Sequence, residues 1–144
     1  MKQFSYSKTD LFCLCFSVED HYLFHDVKYI WVNEILHLGL HNIGIILVGM
    51  KIDLRVDEKT INSLNSSGIN SITYEEGYNL SKEIDTIGYV EFSTYTRENL
   101  DTVFEEGLIF CLEKKRNITH PQFKVQDYKI PPGFSGAKKC QKLQ

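Results

Sequence analysis

Two continuous apolar runs, Leu11 to Val18 (LFCLCFSV) and Ile43 to Gly49 (IGIILVG), constrain the fold of this chain more than any other feature. A strand with one solvated face alternates apolar and polar residues. A run without alternation is expected where both faces are covered, as in a parallel sheet between layers of helix. A third, shorter run, Tyr89 to Ser93 (YVEFS), repeats the pattern. Between the first two, Phe24, Val27, Trp31, Ile35 and Leu38 recur at steps of three and four residues, predicting a helix around Leu23–Leu38 with one apolar face. Thr73 followed by Glu76 has the spacing of a capping box and opens a predicted helix over Tyr74–Ile84. After the third run, Leu100, Val103, Phe104, Gly107, Leu108, Cys111 and Leu112 predict an amphipathic helix over Leu100–Glu113. Strands alternating with helices imply right-handed crossovers and a parallel sheet with helices on its faces. The reading is α/β, with strands in spatial order Leu11–Val18, Ile43–Gly49, Tyr89–Phe92.

The chain of 144 residues is expected to form one domain over residues 1–115 and a basic tail over 116–144. Prolines, glycines and lysines dominate from Thr119 onward, a linker-like composition. Residues 111–144 carry eight Lys/Arg against Glu113 and Asp127, about +6, which leaves about -9 for the remainder of a chain whose formal charge is -3. The acidic body and the apolar runs give no reason to expect a nucleic-acid partner, and the tail lysines alone imply weak contact with a membrane surface. No apolar run approaches the roughly 18 residues of a spanning helix, and Met1 to Ser5 has no secretory pattern, so the expected address is cytoplasmic, with peripheral membrane contact through the tail. Cys13 and Cys15 are two apart in an apolar run, so they share one face of a strand and are expected to pack as small hydrophobes.

The middle run continues into Met50-Lys51-Ile52-Asp53-Leu54-Arg55, so a buried strand delivers a lysine and an aspartate to a loop at its carboxyl end. Ligands of open α/β sheets bind at that end. The segment V-G-x-K-x-D-L-R resembles the guanine-specificity motif of small GTPases, in the form used by the Rho/Rac branch. Glu91-Phe92-Ser93-Thr94-Tyr95-Thr96 resembles the S-A-K or S-A-L loop of the same proteins. The resemblance extends to Ser5-Tyr6 and Thr9-Asp10 before the first strand, to Trp31-Val32-Asn33-Glu34-Ile35 in the place of the third helix, and to Thr102-Val103-Phe104-Glu105-Glu106 in the last. Asp57 to Ser71 stands where Rho/Rac proteins carry a helical insert, and its few apolar anchors, Ile61, Leu64 and Ile69, imply a short exposed helix.

The resemblance implies the C-terminal portion of a small-GTPase (P-loop NTPase) fold, a truncated form with a three-stranded parallel sheet flanked by helices. Its ligand would be GTP or GDP. Carried over residue by residue, Asp53 would accept hydrogen bonds from N1 and N2 of guanine, the stem of Lys51 would lie along the base, Ser93 would orient Asp53, the Thr94 N–H would face O6, and Tyr95 would flank the base. Met50 stands where the family has Thr or Asn, and Thr94 where it has alanine. No G-x-x-x-x-G-K-[ST] occurs in the 144 residues, and by the family's order the phosphate loop, the magnesium site and both switches would precede Met1. Asp85-Thr86-Ile87-Gly88 spells D-x-x-G but falls after K-x-D, where the family has only the end of a helix. Cys140 lies five residues from the end, one too many for a prenylated C-a-a-X. No catalytic residue and no metal site are therefore expected, and guanine nucleotides should bind weakly or not at all. Protein effectors or regulators would meet the third helix and the insert. A nucleotide-free interaction module and a truncated gene model of an active Rho GTPase are the alternatives to a GTP-binding signalling protein.

Overall fold

The computed structural model describes residues 9–37 and 43–115. Ser5-Tyr6, Leu38, the tail 116–144 and Cys140 lie outside the described residues. Three strands, β1 (Leu11–Ser17), β2 (Gly44–Met50) and β3 (Gly88–Phe92), form a parallel sheet in the order β1-β2-β3. The expected order is the observed one, with the most apolar run in the middle. Register aligns Leu14 with Leu47 and Tyr89, and brings Ser17, Met50 and Phe92 level at the carboxyl end.

Side chains of alternate parity feed two cores. On one face Phe16 and Leu47 pack with Val27, Ile72 and Leu80. On the other Ile46 and Val48 pack with Val103, and Leu11, Met50, Val90 and Phe92 fill in around them. The first face is covered by the helical segment after β1 and by α4 (Tyr74–Glu83), the second by α5 (Leu100–Lys115). Thr73 and Glu76 form the reciprocal capping box that their spacing implied, Thr73 Oγ1 accepting from the Glu76 N–H while the Glu76 carboxylate accepts from the Thr73 N–H. A short 3-10 turn, Ile52–Arg55, follows β2, and α3 (Glu58–Ser66) follows that, capped by the Asp57 side chain. Most of α3 is exposed, with Leu64 half-buried, and Gly68 at φ +71° takes the left-handed conformation that closes the helix. Among the described residues no helix is long and apolar enough to cross a membrane.

Three packing expectations are corrected. The helix after β1 runs as α1 (His21–Asp26), a π-helical turn (Val27–Trp31) and α2 (Val32–His37). The Val32 N–H donates to the Val27 carbonyl, five residues back, so the turn holds one extra residue. Period 3.6 expects Trp31 to follow Val27 into the core. The extra residue shifts the phase, so Val32 is 9% exposed and Trp31 is 42% exposed. Second, Cys13 and Cys15 do share a face, the one beside Ile46 and Val48, but both are exposed. Helix α5 packs mainly over β2 and β3 and meets β1 near its start, at Leu11, leaving the face with Cys13 and Cys15 exposed. Third, the apolar stripe of α5 is wider than the surface available to it. Val103 and Gly107 are buried, while Phe104, Leu108 and Leu112, one turn apart in succession, face outward, Phe104 at 72% exposure.

Candidate functional site

The carboxyl ends of all three strands converge on one corner. Strand β2 turns sharply there because Lys51 adopts the left-handed conformation, φ 59° and ψ 42°, which reverses the chain into the 3-10 turn. A non-glycine residue in that region stores strain, and such strain concentrates where a loop must be aimed. The turn carries Asp53 toward the loop that follows β3.

Ser93 begins that loop and is fully buried. Its hydroxyl donates to Asp53 Oδ1. The same oxygen accepts the backbone N–H groups of Tyr95 and Thr96, each at 3.1 Å, and the Ser93 N–H donates to the Glu98 carbonyl at 3.1 Å. One hydroxyl therefore ties two loops together and folds the second into a turn. The Thr94 N–H stands outside the set taken by Ser93, and Asp53 Oδ2 accepts no hydrogen bond from the described residues. The corner thus presents a carboxylate acceptor and a backbone donor on neighbouring loops. Arg97 and Asn99 also have positive φ, 60° and 54°, and the Asn99 side-chain amide donates to the Glu91 carbonyl at 3.1 Å, closing the loop onto β3.

Of the residues singled out in the sequence, Asp53 and Ser93 are joined directly. Thr94 and Tyr95 lie on the same turn, both exposed, with Tyr95 at 88%. Lys51 takes another direction. Its ammonium donates to Glu19 Oε1 at 2.7 Å, and Ser17 donates to the other oxygen of that carboxylate. Burial pushes the Glu19 carboxyl up, but the hydrogen bonds from Lys51 and Ser17 outweigh it and hold the group below its ordinary value. Met50 packs its side chain into the core around Ile46 and Val48, and its carbonyl accepts the Val18 N–H at 3.1 Å.

Sequence reading missed Glu19, and it quoted Arg55 and Glu91 without pairing them. The Arg55 guanidinium meets Glu91 in a two-pronged ion pair at 2.6 Å on each prong. Arg55 and Glu91 are 36 residues apart, and no local spacing connects them. The groove between α1 and α4, lined by His21, Phe24, Lys28 and Glu83 among others, includes none of the residues of this corner. Comparison with known families matches residues 1–111 to the model described as Ras: Ras family.

Proposed function

From the membership of this chain in the Ras family, shown by a match covering most of its length, we propose that the corner at Asp53 and Ser93 is the guanine-base half of a Rho/Rac-type small GTPase site. The observation that carries this reading is the hydrogen bond from the buried Ser93 hydroxyl to Asp53. On this reading the other Asp53 oxygen and the Thr94 N–H, which Ser93 leaves unused, would meet one ligand edge, which suits a base offering a donor pair beside a carbonyl. Guanine offers N1–H and N2–H next to O6, whereas adenine has no matching donor pair. The Rho/Rac assignment draws support from the exposed helix Glu58–Ser66 in the place of the insert, and from the W-x-x-E-I segment starting at Trp31.

GTP supplies a phosphoanhydride whose hydrolysis needs charge stabilisation at the γ-phosphate. The residues of this corner fit the base alone. Asp53 would accept from it, Thr94 would donate to it, and Ser93 and the turn it folds would hold both in place. A few such hydrogen bonds, each contributing about 0.5–1.5 kcal/mol, correspond after the cost of ordering to roughly millimolar affinity or weaker. The protein is accordingly proposed to be deficient in GTP binding and hydrolysis as this sequence stands. Titration of a fluorescent GDP analogue against the wild type and Asp53→Ala tests both parts. Weak binding that the substitution abolishes is the expected result; submicromolar binding would overturn the deficiency, and binding indifferent to Asp53 would overturn the site.

A nucleotide-free interaction module is the second reading, favoured by one observation. The Lys51 ammonium is held by Glu19 and points its charge at that carboxylate. On this reading the exposed Tyr29, Ile30 and Trp31 and the insert helix would serve as partner surfaces. The same titration separates the two, since a module of that kind shows no binding dependent on Asp53 at millimolar ligand.

A further inference from the structure

Arg55 closes the 3-10 turn two residues after Asp53, and Glu91 lies on β3 two residues before Ser93. Their ion pair therefore joins the same two segments as the Asp53–Ser93 hydrogen bond, one step deeper in the fold. Arg55 Nη1 donates to Glu91 Oε2 and Nη2 to Glu91 Oε1, both at 2.6 Å, while Nε and Nη2 donate to the Ile72 carbonyl at 2.9 and 2.7 Å. These bonds use four of the five guanidinium N–H donors, in the planar fork geometry that only arginine offers. Glu91 is 8% exposed, and its Oε1 also accepts from the Tyr89 hydroxyl. Ile72, fully buried, donates its own N–H to the Val18 carbonyl at 2.7 Å. The guanidinium is thus fixed against β3 on one side and against the chain re-entering the core after α3 on the other.

We propose that Arg55 is a positioning residue for base recognition, its fork to Glu91 and Ile72 setting the separation between the Asp53 carboxylate and the Ser93–Thr96 turn. This rests on the reading of the corner as a base site. Asp53 and Thr94 are both on surface loops, and a hydrogen-bonded edge on a planar base tolerates little error in their spacing. The Asp53–Ser93 bond alone is a single pivot. Adding the fork two residues away fixes the angle as well as the distance. Lysine at position 55 would keep a charge beside Glu91 but lose the two-pronged geometry and the bonds to Ile72.

Arg55→Lys and Glu91→Gln, made in the full chain, separate positioning from bulk stability. Amide hydrogen exchange at Tyr95 and Thr96 is expected to accelerate in both variants by a larger factor than at the β2 amides of Leu47 and Val48. Titration with GMP and IMP, followed by NMR, supplies the second readout. IMP lacks the N2 amino group, so the wild type should prefer GMP by about tenfold, the equivalent of one hydrogen bond to a charged acceptor. In Arg55→Lys that ratio should fall to about threefold or less, whereas loss of folded protein would lower both affinities together and leave the ratio unchanged. Exchange at Tyr95 and Thr96 that changes no more than exchange in β2 would overturn the positioning role. A wild type indifferent to GMP and IMP, with the loop exchange still accelerated by Arg55→Lys, would instead remove the base-site reading and leave the positioning of the loop standing.

Discussion

Ser93→Ala removes the smallest group on which the corner depends, and its effect can be worked out from the three hydrogen bonds the hydroxyl makes. The bond to the Asp53 carboxylate belongs to the charge-assisted class, about 1.5–3 kcal/mol, and the two from Tyr95 and Thr96 N–H to the neutral class, about 0.5–1.5 kcal/mol each. Not all of this is lost. Tyr95 and Thr96 are exposed, so water can replace the partner of their N–H groups, and Asp53 is only partly buried. Ser93 itself is fully buried, so water cannot enter the space vacated without moving the loop. The net expectation is a destabilisation of about 2 kcal/mol. A domain of this size has a urea m-value of about 1–2 kcal/mol/M, so the unfolding midpoint should fall by roughly 1–2 M. Amide exchange at Tyr95 and Thr96 should accelerate beyond the global change, because the turn loses its internal acceptor. An unchanged midpoint, or uniform acceleration across all amides, would show that the hydroxyl does not hold the loop.

Three further outcomes follow from particular contacts. A Cβ at Gly77 would stand 2.1 Å from the Tyr89 hydroxyl oxygen and 2.3 Å from its ring, so Gly77→Ala should destabilise by about 1–3 kcal/mol despite alanine's better helix propensity; thermal melting that shows stabilisation would contradict this packing. Because the π-turn moves the buried position from Trp31 to Val32, Val32→Ala should lower the melting temperature more than Trp31→Ala, and the reverse ranking in calorimetry would return the helix to regular period. The Thr73 N–H, and then the Thr73 hydroxyl, hold the Glu76 carboxyl below its ordinary value of 4.5. A lowered folded value means that the charge stabilises the fold above about pH 4.5 and that this is lost as pH falls through the folded value. Glu76→Gln should therefore be less stable than wild type by about 0.3–1 kcal/mol at pH 7, with the gap closing below pH 4.5; a gap constant with pH, read from urea midpoints, would refute the role of the charge.

The fold was legible because its strongest signals are continuous apolar runs and a capping box, and both are local. Leu11 to Val18 and Ile43 to Gly49 could be read as parallel strands because both runs are apolar without alternation and a helical stretch separates them, although Cys13 and Cys15 of the first are exposed. Where the reading failed, the cause was a local departure from period. One extra residue in the turn Val27–Trp31 exchanges the roles of Trp31 and Val32, and nothing in the residue types there announces a bond five residues long. The exposure of Cys13, Cys15 and Phe104 had a different origin. Apolar pattern reports what a surface could pack against, not whether a neighbour is present, and α5 lies mainly over β2 and β3, reaching β1 at Leu11 and leaving Cys13 and Cys15 exposed. In the site, the pairing of Asp53 with Ser93 followed from the family resemblance. The fork from Arg55 to Glu91 and Ile72 and the capture of Lys51 by Glu19 did not. Both join residues far apart in the chain, and charged side chains of these types are common on any loop.

The distribution of ties across the sheet explains how the corner is built although Cys13 and Cys15 of β1 are exposed. Asp53 to Ser93 and Arg55 to Glu91 both join the segment after β2 to β3 or to the loop that follows it. The end of β1 and the residues after it reach the corner through Ser17, which donates to Glu19, and through Glu19, which accepts from Lys51. The exposed face of β1 and the outward stripe of α5 thus lie beside the elements that position the carboxylate, not among them. Breathing of the edge strand would move Lys51 before it moved Asp53. On the proposed reading of the corner, the carboxylate that would meet the base is held by the two ties between the segment after β2 and β3, while the Lys51 ammonium is held by Glu19, just after β1. If the corner is a base site, substitutions at Arg55 should change selectivity for the base, and substitutions at Glu19 should change the strength of binding without changing selectivity.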